Sequence, residues 1–231
     1  MKIFCIGDLH LSGEPMKKPM DIFGEQWTNH PERIKENWLA TVTENDLVLL
    51  AGDTSWGMNL QEADEDLQWI MTLPGRKILV RGNHDYWWTS VSKMRSAYPK
   101  LEFLQNDCVL FAKLGICGCR GWKVPSNEDF STEDEKIYKR EAIRMKLSLD
   151  TAIKQGAEEI IMVLHFPPIF KAEDENDFTE LFRQYPIKHV LFGHIHSENS
   201  ITIFEGTRNE INFKLCSSNT QNFTPVFIQE I

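Results

Sequence analysis

Lys2-Ile3-Phe4-Cys5-Ile6-Gly7-Asp8-Leu9-His10 opens with a short, mainly apolar run and breaks into a glycine, a carboxylate and an imidazole. The run is too short for a helix and reads as a buried strand with a polar cluster at its carboxyl end. The arrangement recurs. Runs at 46–51, 76–80, 159–164 and 188–192, rich in Ile, Val, Leu and Phe, lead into Gly52-Asp53, Gly82-Asn83-His84-Asp85, His165 and Gly193-His194-Ile195-His196. In open α/β sheets ligands collect beyond the carboxyl ends of strands, so five such ends predict one shared site.

Between these strands the sequence carries helix signals. Asn59 with Glu62 three residues on resembles a capping box, Leu67, Ile70 and Met71 follow at helical spacing, and Pro74-Gly75 ends the element. Ser131 with Asp134 opens a longer helix bearing Ile137, Ile143, Leu147 and Ile153, stopped by Gly156. Residues 31–42 and 177–185 predict two more. After His196 the apolar runs are short and separated by turn-rich segments; residues 201–204, 211–216 and 226–228 predict antiparallel strands closing a second sheet. Residues 12–30, with Gly13, Pro15, Pro19 and Gly24, form an irregular stretch directly after the first cluster. A loop of that length in a compact domain is expected to work as a lid or binding loop, here a substrate cap.

The 231 residues, 42% of them hydrophobic, suffice for one large domain spanning 1–231. No run of about 18 apolar residues occurs, and the N-terminal apolar run is too short for a signal-peptide core, so a soluble cytoplasmic protein with no membrane partner is expected. Five cysteines, Cys5, Cys108, Cys117, Cys119 and Cys216, are odd in number and lie mainly in apolar runs, which suits reduced, buried thiols. The one-residue gap of Cys117-Gly118-Cys119 does not match zinc-binding spacing. A net charge of −9 disfavours nonspecific attraction to a nucleic-acid backbone without excluding it.

Asp8-x-His10 places a carboxylate and an imidazole on one side of an extended segment, within reach of one cation, and His194-x-His196 repeats that spacing. Asp53 alone after a strand is a natural bridge, since a carboxylate has two oxygens. Asn83 offers an amide oxygen and His165 a ring nitrogen. Singly, each has a plainer explanation: Asp8, Asp53 and Asn83 as turn residues, His165 as a core histidine. Five strand ends all carrying ligand types, with five of the seven histidines among them, reverse that weighing. His30 and His189 fall outside the pattern and are read as structural. Mixed nitrogen and oxygen donors suit two divalent transition-metal ions such as Mn, Fe, Zn, Co or Ni rather than Mg or Ca; the donors do not select among them, and Mn is the ion expected first.

In order, these blocks resemble the calcineurin-like metallophosphoesterase superfamily, whose pattern runs Gly-Asp-x-His, Gly-Asp, Gly-Asn-His-Asp/Glu, His, Gly-His-x-His. Its small bacterial predicted phosphohydrolases are similar through Gly82-Asn83-His84-Asp85-Tyr86-Trp87-Trp88. The resemblance implies a four-layer α/β/β/α sandwich of two mixed sheets flanked by helices. It implies that Asp8, His10, Asp53 and His196 bind one metal, and Asp53, Asn83, His165 and His194 the other. It further implies His84 and Asp85 as catalytic residues, His84 facing the substrate phosphate and Asp85 orienting it.

The expected activity is hydrolysis of a small phosphodiester or phosphomonoester by a bridging hydroxide, His84 assisting the leaving group. Trp56, Trp87, Trp88 and Trp122 are candidates to stack a base or aryl group, with packing as the plainer role. Arg81, Arg120 and Lys123 are candidate phosphate contacts. Alternatives are a nuclease, which the acidic balance disfavours, a protein phosphatase, and a noncatalytic scaffold, which has no need of a bridging acid and a free histidine. Neither the physiological substrate nor the oligomeric state is legible.

Overall fold

A computed structural model describes residues 1–196 and 202–231. In chain order the strands are β1 (Lys2–Ile6), β2 (Leu47–Leu50), β3 (Arg76–Leu79), β4 (Leu101–Phe103), β5 (Cys108–Phe111), β6 (Leu114–Gly118), β7 (Glu159–Val163), β8 (Ile187–Phe192), β9 (Gly206–Arg208), β10 (Ile211–Leu215) and β11 (Val226–Glu230). The helices are α1 (His30–Thr41), α2 (Asp64–Thr72), α3 (Val91–Ala97), α4 (Thr132–Lys154) and α5 (Asp177–Phe182). All five expected strands are present, within two residues of their expected bounds.

Two mixed sheets form, ordered β11-β1-β2-β3-β4 and β5-β6-β7-β8-β10-β9. Within the first, β1 to β4 are parallel and β11 runs antiparallel to β1. The second has a parallel centre, β6-β7-β8-β10, with β5 and β9 antiparallel at its edges. Parallel strands need both faces covered, and three apolar clusters do this. Ile3, Cys5, Leu49, Ile78, Ile116, Ile161 and Leu191 lie in the core between the sheets. Ile34 and Trp38 of α1, Leu67 and Ile70 of α2 and Met94 of α3 cover the outer face of the first sheet, while Met145 and Leu149 of α4 with Phe178 and Phe182 of α5 cover the second. This is the four-layer sandwich.

Three expectations are corrected. The segment at 226–228 closes the first sheet through β1, and β10 pairs parallel with β8, so the chain does not end in an antiparallel second sheet. Residues 202–204 form no strand, and Ile201 lies outside the described residues. On α4 the inward stripe is Tyr138, Glu141, Met145, Ser148, Leu149 and Ala152, leaving Ile143 61% exposed and Leu147 and Ile153 outside as well. That stripe includes polar residues: Glu141 Oε1 meets Arg120 at 3.5 Å and Arg144 of the same helix at 2.7 Å, and the Ser148 hydroxyl donates to the Asp107 carbonyl at 2.6 Å and accepts from the Gly118 N–H at 3.1 Å.

The Ser131–Asp134 capping box forms as expected. Asn59 and Glu62 instead close a turn one step ahead of α2, the Asn59 side-chain oxygen accepting from the Gln61 and Glu62 N–H groups. All five cysteines are free and buried. No helix among the described residues is long and apolar enough to cross a membrane.

Candidate metal centre

Strands β1, β2, β3, β7 and β8 deliver their polar clusters to one edge of the sandwich, where backbone hydrogen bonds tie the following loops together. The Asp8 N–H donates to the Gly52 carbonyl (2.9 Å), His10 N–H to Asp53 (3.0 Å), Gly193 N–H to His165 (3.0 Å), and Gly7 N–H to Cys216 (2.7 Å), the last joining the two sheets. Across the sheets the Asp8 carboxylate accepts the His194 N–H at 2.9 Å. Two glycines are required by this closeness. A Cβ on Gly82 would stand 2.1 Å from Asp53 Oδ1, and one on Gly193 would stand 2.4 Å from Asp8 Oδ2.

Two donor groups result: Asp8 with His10 and His196, and Asp53 with His165 and His194, the ligand atoms of each lying within 4.8 Å of one another. Asp53 links them. Its Oδ2 is 3.3 Å from His165 Nε2 and 4.0 Å from His10 Nε2, while Oδ1 accepts the His84 N–H at 2.7 Å. Asn83 Oδ1 lies 2.7 Å from His165 Nε2 and so joins the second group. All seven residues expected as ligands are therefore brought together.

The local geometry differs from expectation. Asp8 (φ 56°), His10 (φ 47°), Asp53 (φ 49°) and His194 (φ 72°) occupy the left-handed region, which costs a non-glycine residue about 1–3 kcal/mol each. Asp8 and His10 thus converge through two left-handed turns beyond the end of β1, not along an extended strand. His194 and His196 go to different groups, as the family resemblance implies, although their spacing alone repeats that of Asp8 and His10.

The donor chemistry fits a cation. His165 Nδ1 lies 2.9 Å from the Ala51 carbonyl, an acceptor only, so Nδ1 carries a proton and Nε2 is aimed at Asp53 Oδ2 and Asn83 Oδ1. Without a proton on Nε2, three acceptors would meet there. At the other group His10 Nε2 and His196 Nε2 are 3.4 Å apart, each 3.9 Å from Asp8 Oδ1. Such a set needs a proton or a metal between its atoms. Burial opposes protonation of His165, but the Asp53 carboxylate outweighs it and pushes the imidazole up to about 9. Burial, reinforced by the neighbouring His165, takes His194 down to about 3, and burial holds His10 well below the usual histidine range. Neutral imidazole is the form that ligates a metal.

The calcineurin-like phosphoesterase family model matches residues 1–198. This chain belongs to that family. Gene 66 protein of Mycobacterium phage D29 is 26% identical over 195 residues, covering 84% of this chain and 78% of its own length. Among solved structures, TT1561 of Thermus thermophilus superposes with a TM-score of 0.55 at 10% identity, over 87% of this chain and 85% of that one. A protein of unknown function, AQ665 of Aquifex aeolicus, gives 0.48 at 16% identity, over 98% and 95%. Family membership together with the two His/Asp groups makes this a metal-dependent phosphoesterase with a candidate dinuclear centre.

Asp85 does not orient the His84 ring. Its carboxylate accepts from the backbone N–H groups of Gly82 (2.7 Å), Thr54 (2.8 Å) and Asp53 (3.0 Å) and from Trp87 Nε1 (2.9 Å), so it fixes the two loops that carry Asp53 and Asn83. His84 Nδ1 is left without a hydrogen-bond partner. The ring sits 4.5 Å from Trp56 and 5.9 Å from His10.

Of the other candidates, Trp87 and Trp88 are core residues, and Trp122 packs on Phe166 and donates to Asp134. Lys123 is paired with Asp129, and Arg120 lies 3.5 Å from Glu141 and over Trp122. Arg81 keeps a buried Nε without a partner. Sequence reasoning missed Trp27, Met20 and Phe23, which with Trp56 flank His10, His84 and His196. The irregularity of residues 12–30 was the one signal that could have found them.

Proposed function

We propose that the chain hydrolyses a small phosphodiester or phosphomonoester, with Asp8, His10, Asp53 and His196 holding one divalent transition metal and Asp53, Asn83, His165 and His194 a second. The observation that supports this best is the placement of Asp53 Oδ2 between the imidazoles of the two groups. Two such cations, when bound, would lower the pKa of water toward neutrality and set positive charge against the phosphoryl oxygens.

The protein contributes position and a proton. His84, anchored by its backbone N–H on Asp53, lines the hollow beside the first donor group, where its ring can hydrogen-bond a phosphoryl or leaving-group oxygen. Assistance of that kind is worth on the order of a hundred- to ten-thousand-fold. Asp85 acts one step back, holding the Asp53 and Asn83 loops in register, so it is a positioning residue.

The test strips metal, restores manganese or another transition metal, and assays aryl phosphate mono- and diesters. Activity that returns with metal, and falls at least a hundredfold in His84→Ala while metal content stays near two per chain, supports the proposal. Unchanged turnover in that variant removes His84 from the mechanism. Cyclic nucleotides, phosphopeptides and single-stranded DNA assayed in parallel separate a small-ester hydrolase from a protein phosphatase or nuclease.

A further inference from the structure

Beside the first donor group lies a hollow of about 270 Å³. Its floor is three imidazoles, His10, His84 and His196; its walls are Met20, Phe23, Trp27 and Trp56. Trp56 lies nearly parallel to the His10 ring, centroids 4.9 Å apart at 22°, and Trp27 stands edge-on to His196 at 5.4 Å. Behind it Trp27 packs on Phe223 and His30, both at 5.4 Å, so this wall is fixed. The segment 12–30 grips the opposite wall. Trp56 Nε1–H points at Met20 Sδ (3.2 Å), and the Trp56 carbonyl accepts Lys18 Nζ at 2.9 Å. Phe23 forms the rim, 55% exposed.

The hollow reaches past the donor atoms along Met20, Phe23, Trp27 and Trp56, so water there stands against mostly apolar walls. Expelling it favours an apolar occupant. A nucleobase would bring several donors and acceptors to walls made of ring faces and a thioether, and each one buried unmatched is costly. Resting on the phosphoesterase reading, we propose that this hollow seats one hydrocarbon or aryl arm of the substrate, so that the chain acts on phosphate esters of apolar alcohols or phenols in preference to nucleotides. Trp27 and Trp56 clamp that arm, and Phe23 closes over it.

The test is calorimetric titration of the manganese-loaded protein with methyl-, butyl- and phenylphosphonate and with adenosine 5′-monophosphate, tryptophan emission followed in parallel. Butyl- and phenylphosphonate should bind at least about tenfold tighter than methylphosphonate, since even one methylene in an apolar pocket is worth roughly that much. Adenosine monophosphate should bind more weakly than phenylphosphonate. Phe23→Ser, at an exposed position, should reduce the phenyl-to-methyl ratio several-fold, and Trp56→Leu should reduce it further. Equal affinities for phenyl- and methylphosphonate, tighter binding of the nucleotide, or an unchanged ratio in both folded variants would overturn the proposal. Hydrolysis of aryl esters with a phenyl-to-methyl ratio near one sinks this inference alone; absence of hydrolysis on every ester sinks the reading beneath it.

Discussion

Metal binding should expel a proton from one identifiable atom. In the metal-free chain the His165 imidazole, pushed up to about 9 by the Asp53 carboxylate 3.3 Å away, carries a proton on Nε2, where a metal would coordinate. At pH 7 it is then mostly protonated, so loading the second donor group releases up to about one proton from this site, and each pH unit below that midpoint weakens binding by roughly tenfold. Two measurements check this. Nitrogen-15 NMR of the metal-free protein should show the His165 ring titrating with a midpoint near 9, Nδ1 keeping its proton throughout. Calorimetry at pH 7 in buffers of different ionisation enthalpy should give a slope of at least about one proton per chain. A His165 midpoint below 7, or release of less than half a proton, would refute the idea that the acceptor cluster holds a proton in place of a metal.

Stability of the metal-free protein should fall on both sides of neutrality. His165, raised, contributes stability that is complete below the ordinary histidine value of about 6.5 and lost as pH climbs through about 9; His194, lowered to about 3, leaves the unfolded chain binding more protons between about 6.5 and 3, so stability also drops across that acid window. Thermal denaturation against pH should show the maximum, and a monotonic profile would contradict it. Asp85→Asn converts one acceptor oxygen among four close donors into a donor, and should lower stability by about 3 kcal/mol or more while weakening metal affinity, read by denaturant unfolding and chelator competition. Gly82→Ala drives a methyl into Asp53 Oδ1 and should lower metal content below two per chain even where the circular dichroism spectrum is unchanged. Ser131→Ala removes the cap of α4 and should cost about 1 kcal/mol in denaturant unfolding with no effect on metal content.

The centre was largely legible because its chemistry sits in short local words, an apolar run followed by Gly-Asp or Gly-His. Those words name the donors and leave their aim open. That Asp8 and His10 turn left-handed depends on backbone contacts with residues far along the chain, such as Gly52 and Asp53, whereas the split of His194 and His196 between the two groups follows the family resemblance. Partner choice among strands was similarly hidden: Val226–Glu230 reads the same whether it joins β8 or β1, and only the packing of both sheets decides. On α4 polarity misled, because Glu141 and Ser148 are buried on the inner face while Ile143 and Leu147 face solvent. The role of Asp85 was misjudged for a related reason, since its partners are main-chain N–H groups that no motif spells out.

Asp8, His10, Asp53 and His194 share one awkwardness, a backbone twist that glycine accepts more readily than they do. Without metal they also crowd lone pairs and charge into a buried space, so the apoprotein carries tension at the spot where its chemistry resides. A directed-evolution campaign scored on heat resistance alone, in a chelating buffer, should therefore erase these four positions first. The survivors would be sturdier proteins with nothing left to hold.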